Sequence, residues 1–226
     1  WLQAHPGADL RSDRRFAALV EDLRGASDGL TDLGLIRSDG SMLPIPPERS
    51  GVNVTDRAYF QAHQGSGERK LFIGDPVVSR ITGKWGIPVS WRLEKPVAGG
   101  VQVVLVAIQL DKLMALHEDV RLKPNGTVVL LRTDGVMLSR TPFDQKLIGI
   151  SLRDMPAFKT EYGVKPSGSF EADGSPTDGV PRLISYQRLA SYPVIVLVTR
   201  GQAEALEIFY TRRAILWAVA GLISIV

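Results

Sequence analysis

The sequence predicts an α+β protein built from one unit used twice, each copy a five-stranded antiparallel sheet flanked by helices. Three observations predict it. The phrase Leu35-Ile36-Arg37-Ser38-Asp39-Gly40-Ser41-Met42-Leu43 returns as Leu130-Leu131-Arg132-Thr133-Asp134-Gly135-Val136-Met137-Leu138, identical at six of nine positions. A second echo follows each copy: Gly51-Val52-Asn53-Val54-Thr55-Asp56 with Phe60 is matched by Gly149-Ile150-Ser151-Leu152-Arg153-Asp154 with Phe158. Three strand-like runs come after each echo. Offsets of 95 and 98 residues mark a duplicated domain, because solenoid repeats are much shorter.

From Asp9 to about Leu30, Phe16, Leu19, Val20 and Leu23 recur at three- and four-residue spacing with charged residues on the other face, which predicts a long amphipathic helix. Leu30 to Ile36 reads as a strand, and Asp39-Gly40 is a two-residue turn signal. Pro44, Pro46 and Pro47 then impose a loop. Thr55 is placed to cap a short helix from Asp56 to Gln64, ended by Gly65 and Gly67. Three strands follow: Leu71 to Arg80, Trp85 to Glu94 and Val101 to Leu110. In the second of these, Trp85, Ile87, Val89 and Trp91 alternate with Gly86, Pro88, Ser90 and Arg92, the period of a sheet with two distinct faces. Asp111 caps a helix through Leu113, Met114 and Leu116 that leads into the second copy. There, strands at Thr127 to Arg132 and Val136 to Arg140 flank Asp134-Gly135, a partly helical stretch runs from Leu152 to Tyr162, and strands near Gly168 to Ala172, Arg182 to Leu189 and Val194 to Thr199 complete the sheet.

Composition narrows the function. At 226 residues the chain fits two domains of about 100, and 44% apolar with 23% charged residues is globular rather than disordered. The net charge of +3 comes from interspersed basic and acidic residues, so no stripe is available to neutralise phosphates and nucleic acid is not an expected partner. The absence of cysteine excludes a thiol nucleophile, a disulfide framework and a thiolate metal site. No phosphate-binding glycine loop ending in Lys-Ser or Lys-Thr occurs, and Gly65-Ser66-Gly67 reads as a turn. His5, His63 and His117 are scattered, and His117-Glu118-Asp119 would diverge around a helix. No catalytic residue, metal or cofactor is therefore expected. The run from Ala214 to Val226 is apolar or small throughout, and Arg212, Arg213 and Trp217 suit interfacial anchors, so it reads as the beginning of a transmembrane helix. A buried C-terminal helix is the other reading of that run.

Specific residues carry a family resemblance. Asp56-Arg57-Ala58-Tyr59-Phe60, Ile73-Gly74-Asp75-Pro76-Val77 and the strand Val103 to Leu110 closing on Asp111 resemble the membrane-distal module of the double Cache family. Asp134-Gly135-Val136-Met137-Leu138-Ser139-Arg140-Thr141-Pro142, Ser185-Tyr186 and Tyr192-Pro193 resemble its membrane-proximal module. The resemblance implies two tandem PAS-like modules forming the extracytoplasmic, periplasmic sensor of a bacterial inner-membrane receptor. It implies a small-molecule ligand, a homodimer and, as output, a histidine kinase of a two-component system. A diguanylate cyclase or a chemoreceptor signalling domain is the alternative output. The expected division is a dimerisation helix over 1–30, a distal ligand-binding module over 31–122, a proximal module over 123–203 and a C-terminal helix entering the membrane over 204–226.

In that family the ligand sits between the distal sheet and the segment holding the Asp-Arg-x-Tyr-Phe motif. Arg57 is the first candidate, since a guanidinium grips a carboxylate with two parallel hydrogen bonds, and Tyr59 and Phe60 supply walls that exclude water. The competing reading pairs Arg57 with Asp56 or Asp75 and makes both aromatics core. Asp75, Arg80, Trp85 and Ser90 are further candidates on the strands of the pocket floor, although alternation puts Ser90 opposite Trp85 unless a strand end intervenes. The amino-acid-binding branch holds the ligand's ammonium with an aspartate in the last distal strand, where this chain has Ala107. The expectation is a carboxylate or other anion and not a free amino acid. The second copy, with Met155 and Ala157 in place of Arg57 and Tyr59, is expected to connect rather than to bind. Two other classes remain: a membrane-anchored hydrolase using Arg57, Asp75 and His63, and a structural module whose pocket its own side chains fill.

Overall fold

The repeated phrase folds the same way both times. The structure, a computed structural model, describes residues 1–206 apart from 6, 11, 28–30, 44–50, 66–70, 121–124 and 176. The proline-rich loop and the apolar run from Ala214 to Val226 lie outside the described residues. The chain divides into two units, Trp1–Leu116 and His117–Val226. Among the described residues no helix is long and apolar enough to cross a membrane.

The first unit opens with α1 (Arg14–Ala26). This corrects the expectation of a long helix over 1–30, and Asp13 is the reason. Its carboxylate accepts from the backbone N–H of Arg15 at 2.8 Å and of Phe16 at 3.4 Å, so the orphan donors of the first turn are satisfied there and the chain before it is extended or turned. Phe16 and Val20 are buried with Leu35, Leu93 and Val101. The apolar stripe thus packs on the unit's own sheet.

That sheet comprises β1 (Thr31–Arg37), β2 (Met42–Leu43) and, after the short α2 (Ala58–Gln61), β3 (Phe72–Ile73), β4 (Val77–Val78), β5 (Trp85–Val97) and β6 (Val101–Gln109). The order is β2-β1-β6-β5-β3, with β4 also on β5, and every pairing is antiparallel. It has six strands where five are predicted, because the run from Leu71 to Arg80 breaks at Gly74-Asp75-Pro76. Pro76 has no N–H to give a ladder, and Gly74 packs so closely on β5 that an added Cβ would lie 2.8 Å from Pro88 Cγ.

From β6, α3 (Leu110–Val120) carries the chain into the second unit, where His117 is buried and its Nδ1 meets Thr141 Oγ1 at 3.2 Å. The second sheet contains β7 (Thr127–Arg132), β8 (Met137–Thr141), β9 (Ser167–Ala172), β10 (Arg182–Arg188) and β11 (Val194–Gly201) in the antiparallel order β8-β7-β11-β10-β9. A π-helical turn at Phe158–Tyr162 precedes β9. Leu131, Met137, Tyr162, Tyr186 and Ile195 form the centre of this core.

The echoes share their main-chain bonds. Val54 N–H donates to Gly40 O at 2.9 Å and Leu152 N–H to Gly135 O at 2.8 Å; Met42 to Val52 and Met137 to Ile150 are both 2.9 Å. Gly40 and Gly135 have φ of +76° and +97°, the left-handed region that the Asp-Gly turn requires. Phe60 N–H donates to Arg57 O and Phe158 N–H to Met155 O, both at 3.0 Å. Arg57, Tyr59 and Phe60 therefore correspond in structure to Met155, Ala157 and Phe158.

Candidate functional site

The pairing of β1, β6 and β5 creates a floor of small residues in the first unit. Asp32 lies opposite Ala107 and Ala107 opposite Pro88; in the next row on that face, Gly34 lies opposite Leu105 and Leu105 opposite Ser90. Gly34 is at a close approach, since a Cβ there would come 2.8 Å from Met42 Cε. Over the floor opens a cavity of about 320 Å³, walled by Val52, Val54 and Tyr59 on one side and by Val77 and Val78 on the other. Arg80, Lys84 and Trp85 also line it.

The structure brings Tyr59, Arg80 and Trp85 to this cavity and leaves Arg57, Phe60, Asp75 and Ser90 out of its lining. Trp85 reaches it because it is the first residue of β5, where the strand end relaxes the alternation. Ser90 is on the floor's face but lies beneath α2. Phe60 is buried in the core with Ile36, Val54 and Val103, and Asp75 is exposed in the break between β3 and β4. Arg57 sits behind the wall: its Nη2 donates to Val78 O at 3.2 Å, and its Nε is buried with no partner.

Charges at the cavity are arranged in pairs. Arg80 clasps Asp56 through two 2.7 Å bonds and also donates to Asn53 O at 2.7 Å. This guanidinium holds the Asp56 carboxyl below its ordinary range. Lys84 meets Asp111 at 2.8 Å and lowers its pKa likewise. Asp111 thus ties a mouth residue to the first turn of α3. Asp32, also in the lining, accepts from Gln109 Nε2 at 2.8 Å through one carboxylate oxygen. Sequence reasoning missed Asp32. Burial raises the Tyr59 phenol, which keeps it a neutral donor.

A buried chain of bonds holds α2 over the floor. Ser90 Oγ donates to Tyr59 O at 2.9 Å and meets His63 Nε2 at 2.8 Å. A hydroxyl has one hydrogen, so Nε2–H is the donor in the second bond. Arg92 Nη1 adds a bond to His63 O at 2.9 Å. Burial, with Arg92's charge, pulls His63 below its ordinary pKa and keeps the ring neutral. His63 is therefore structural, which removes the base from the hydrolase reading.

Residues 110–199 match the dCache_1-like histidine kinase sensor domain. No curated protein matches the chain. Among solved structures, the extracellular domain of rpHK1S-Z16, described as a histidine kinase, is 28% identical, with 84% of this chain and 79% of that one covered at a TM-score of 0.67. The ligand-binding domain of the Pseudomonas aeruginosa PAO1 amino acid chemoreceptor PctB, solved with L-Gln, shares the fold at 18% identity, with 97% and 88% covered and a TM-score of 0.60. That of the Pseudomonas fluorescens chemoreceptor CtaA, solved with L-isoleucine, does so at 17% identity, with 89% and 77% covered and a TM-score of 0.54. The second unit thus matches a dCache_1-like histidine kinase sensor domain, and the chain as a whole has the fold of these extracellular and ligand-binding domains.

Proposed function

We propose that the chain is the periplasmic sensor of an inner-membrane histidine kinase, that its small-molecule ligand occupies the first unit's cavity, and that binding there shifts the flanking membrane helices. The cavity carries this reading: it is open, it has an apolar wall, and it has cations at the mouth and a carboxylate on the floor. Small-molecule sites have this composition, a mostly apolar concavity with a few placed polar groups. The open volume argues against a purely structural module filled by its own side chains.

The ligand is a small carboxylate, held through Arg80 and Lys84 and stacked on Trp85. Arg57 acts as a positioning residue, fixing the Val78 carbonyl and with it the β4 wall. Ala107 leaves no carboxylate on β6, but its cross-strand neighbour Asp32 puts one on the same face, a single strand away. An ammonium group on the ligand is thereby accommodated, and we revise the expectation from a simple anion to an amino acid. The amino acids held by PctB and CtaA support that class.

Calorimetry of the chain against L-leucine and 4-methylpentanoate, its counterpart without the amine, tests this. Trp85→Ala and Arg80→Met are expected to weaken both, and Asp32→Asn the amino acid alone, each by about tenfold or more. Binding of neither compound, or of any other amino acid, would refute the ligand class. Binding untouched by Trp85→Ala and Arg80→Met would refute the site.

A further inference from the structure

The second unit has a larger cavity than the first, about 640 Å³, at the corresponding place on its sheet. Thr127 pairs with Thr199 where the first unit pairs Asp32 with Ala107. Ala157 stands where the first unit has the Tyr59 ring, which opens the added space. The volume lies within the few hundred to about 1,000 Å³ usual for small-molecule sites.

Its chemistry differs from that of the first cavity. Arg140 on β8 and Arg182 on β10 line it, and their side chains are only 9% and 5% exposed. Among the described residues Asp178 alone forms ion pairs with them: Oδ2 accepts from Arg140 Nη2 at 3.0 Å and from Arg182 Nη2 at 2.8 Å, and Oδ1 accepts from Arg182 Nη1. Arg140 also donates to Pro142 O at 3.0 Å, and Arg182 Nε to Asn125 O at 3.1 Å. Two desolvated cations share one bonded anion, and a buried cation without its own counter-charge is costly.

Among the described residues no other carboxylate bonds to either guanidinium. Glu161 is engaged by Lys165 at 2.7 Å and by Tyr186 at 3.0 Å. Glu171 and Asp173 are exposed, where water and salt screen them. Asp144 acts on Arg140 through space. Thr127 and Thr199 hydroxyls meet at 2.8 Å, and Thr199 Oγ1 also accepts the Thr127 N–H at 3.1 Å. Only one hydroxyl hydrogen is used between them, so the other is left to donate. Phe170 and Tyr162, stacked at 6.3 Å, line the apolar side.

We infer that the second unit holds an independent site for a small organic anion, its carboxylate between Arg140, Arg182 and the threonine pair and its apolar body against Phe170 and Tyr162. The second copy is then a receiver in its own right and not only a connector.

Calorimetry of the chain with acetate, butyrate, benzoate and phenylacetate, together with inorganic phosphate, tests the site. At least one monocarboxylate binds, and Ala157→Tyr, which rebuilds the bulk present in the first unit, weakens it about tenfold or more. Arg182→Met does the same where it folds; where it does not, Ala157→Tyr decides. Trp85→Ala, which weakens the first cavity, leaves this binding in place. Absence of monocarboxylate binding overturns the inference, as does binding that survives Ala157→Tyr in the Trp85→Ala background or binding of phosphate alone. Binding lost with Trp85→Ala and kept with Ala157→Tyr assigns the anion to the first unit and also overturns it.

Discussion

Ser90→Ala should loosen the first unit more than a surface-like serine would suggest. Ser90 and His63 are 1% and 2% exposed, and the hydroxyl is the middle link from His63 Nε2–H to Tyr59 O. Its removal leaves a buried ring N–H without an acceptor and takes a donor from a main-chain carbonyl. An unsatisfied buried group costs about 1–3 kcal/mol; the ring N–H bears that cost and the carbonyl, which has a second lone pair, adds about 1 kcal/mol, so the losses come to about 2–4 kcal/mol. At about 4 °C per kcal/mol for a unit of this size, the melting temperature falls by roughly 8–16 °C. Trp1, Trp85 and Trp91, three of the four tryptophans, lie in the first unit, so a thermal melt followed by tryptophan fluorescence reads mainly the affected half. Ligand affinity should fall with it, because Tyr59 is carried by the segment this bond restrains. A loss under about 1 kcal/mol with unchanged affinity would show that the chain of bonds does not hold α2.

Acid should weaken both units, for different reasons. Burial holds His63 and His117 below their ordinary 6.5, so the unfolded chain takes up these protons first; stability is full above about pH 6.5 and falls as the pH drops toward the lowered folded values. Melting temperatures recorded downward from about pH 8 that stayed level or rose would contradict this. The hydrogen bond from Arg182 holds Asp178 below 3.8, so its contribution is present above that value and is lost as the pH falls beneath it. Asp178→Asn removes this acid step and, by leaving two buried guanidiniums without their shared carboxylate, costs about 2–4 kcal/mol at neutral pH in urea unfolding. In the second unit Gly149→Ala meets nothing within 4 Å and carries only the strain of φ +81°, about 1 kcal/mol. Gly135→Ala would also press Cβ to 2.8 Å from Arg153 N, for a total of about 3 kcal/mol or more. Equal losses in denaturant titrations would contradict that ranking.

The sheets were legible because strand alternation and the Asp-Gly turn are local signals, and both copies repeat them. The helix over 1–30 was over-read: periodicity marked the stripe, while the start depended on one side chain, Asp13, competing for the first-turn donors. The site was legible only in part. Tyr59, Arg80 and Trp85 reach the cavity, but alternation could not reveal that Trp85 escapes its face at a strand end or that Ser90 is covered by α2. Asp32 left no signal, since its role comes from a pairing with β6 and its partner Gln109 is 77 residues away. The second cavity is hidden in the sequence for a simpler reason. Replacing Tyr59 by Ala157 looked like lost chemistry in one dimension, and in three it is gained volume beside two arginines that are distant in sequence.

The bonds that define each repeated turn run between main-chain atoms, Val54 to Gly40 and Leu152 to Gly135. Such bonds make no demand on the identity of the side chains around them. The two units therefore work as a chassis with replaceable fittings: floor positions 32 and 107, or 127 and 199, can exchange a carboxylate for a hydroxyl without disturbing the frame that presents them. A receptor built this way can acquire a new stimulus by changing a few residues, and an engineer wanting a sensor for a different acid can start from the same four positions.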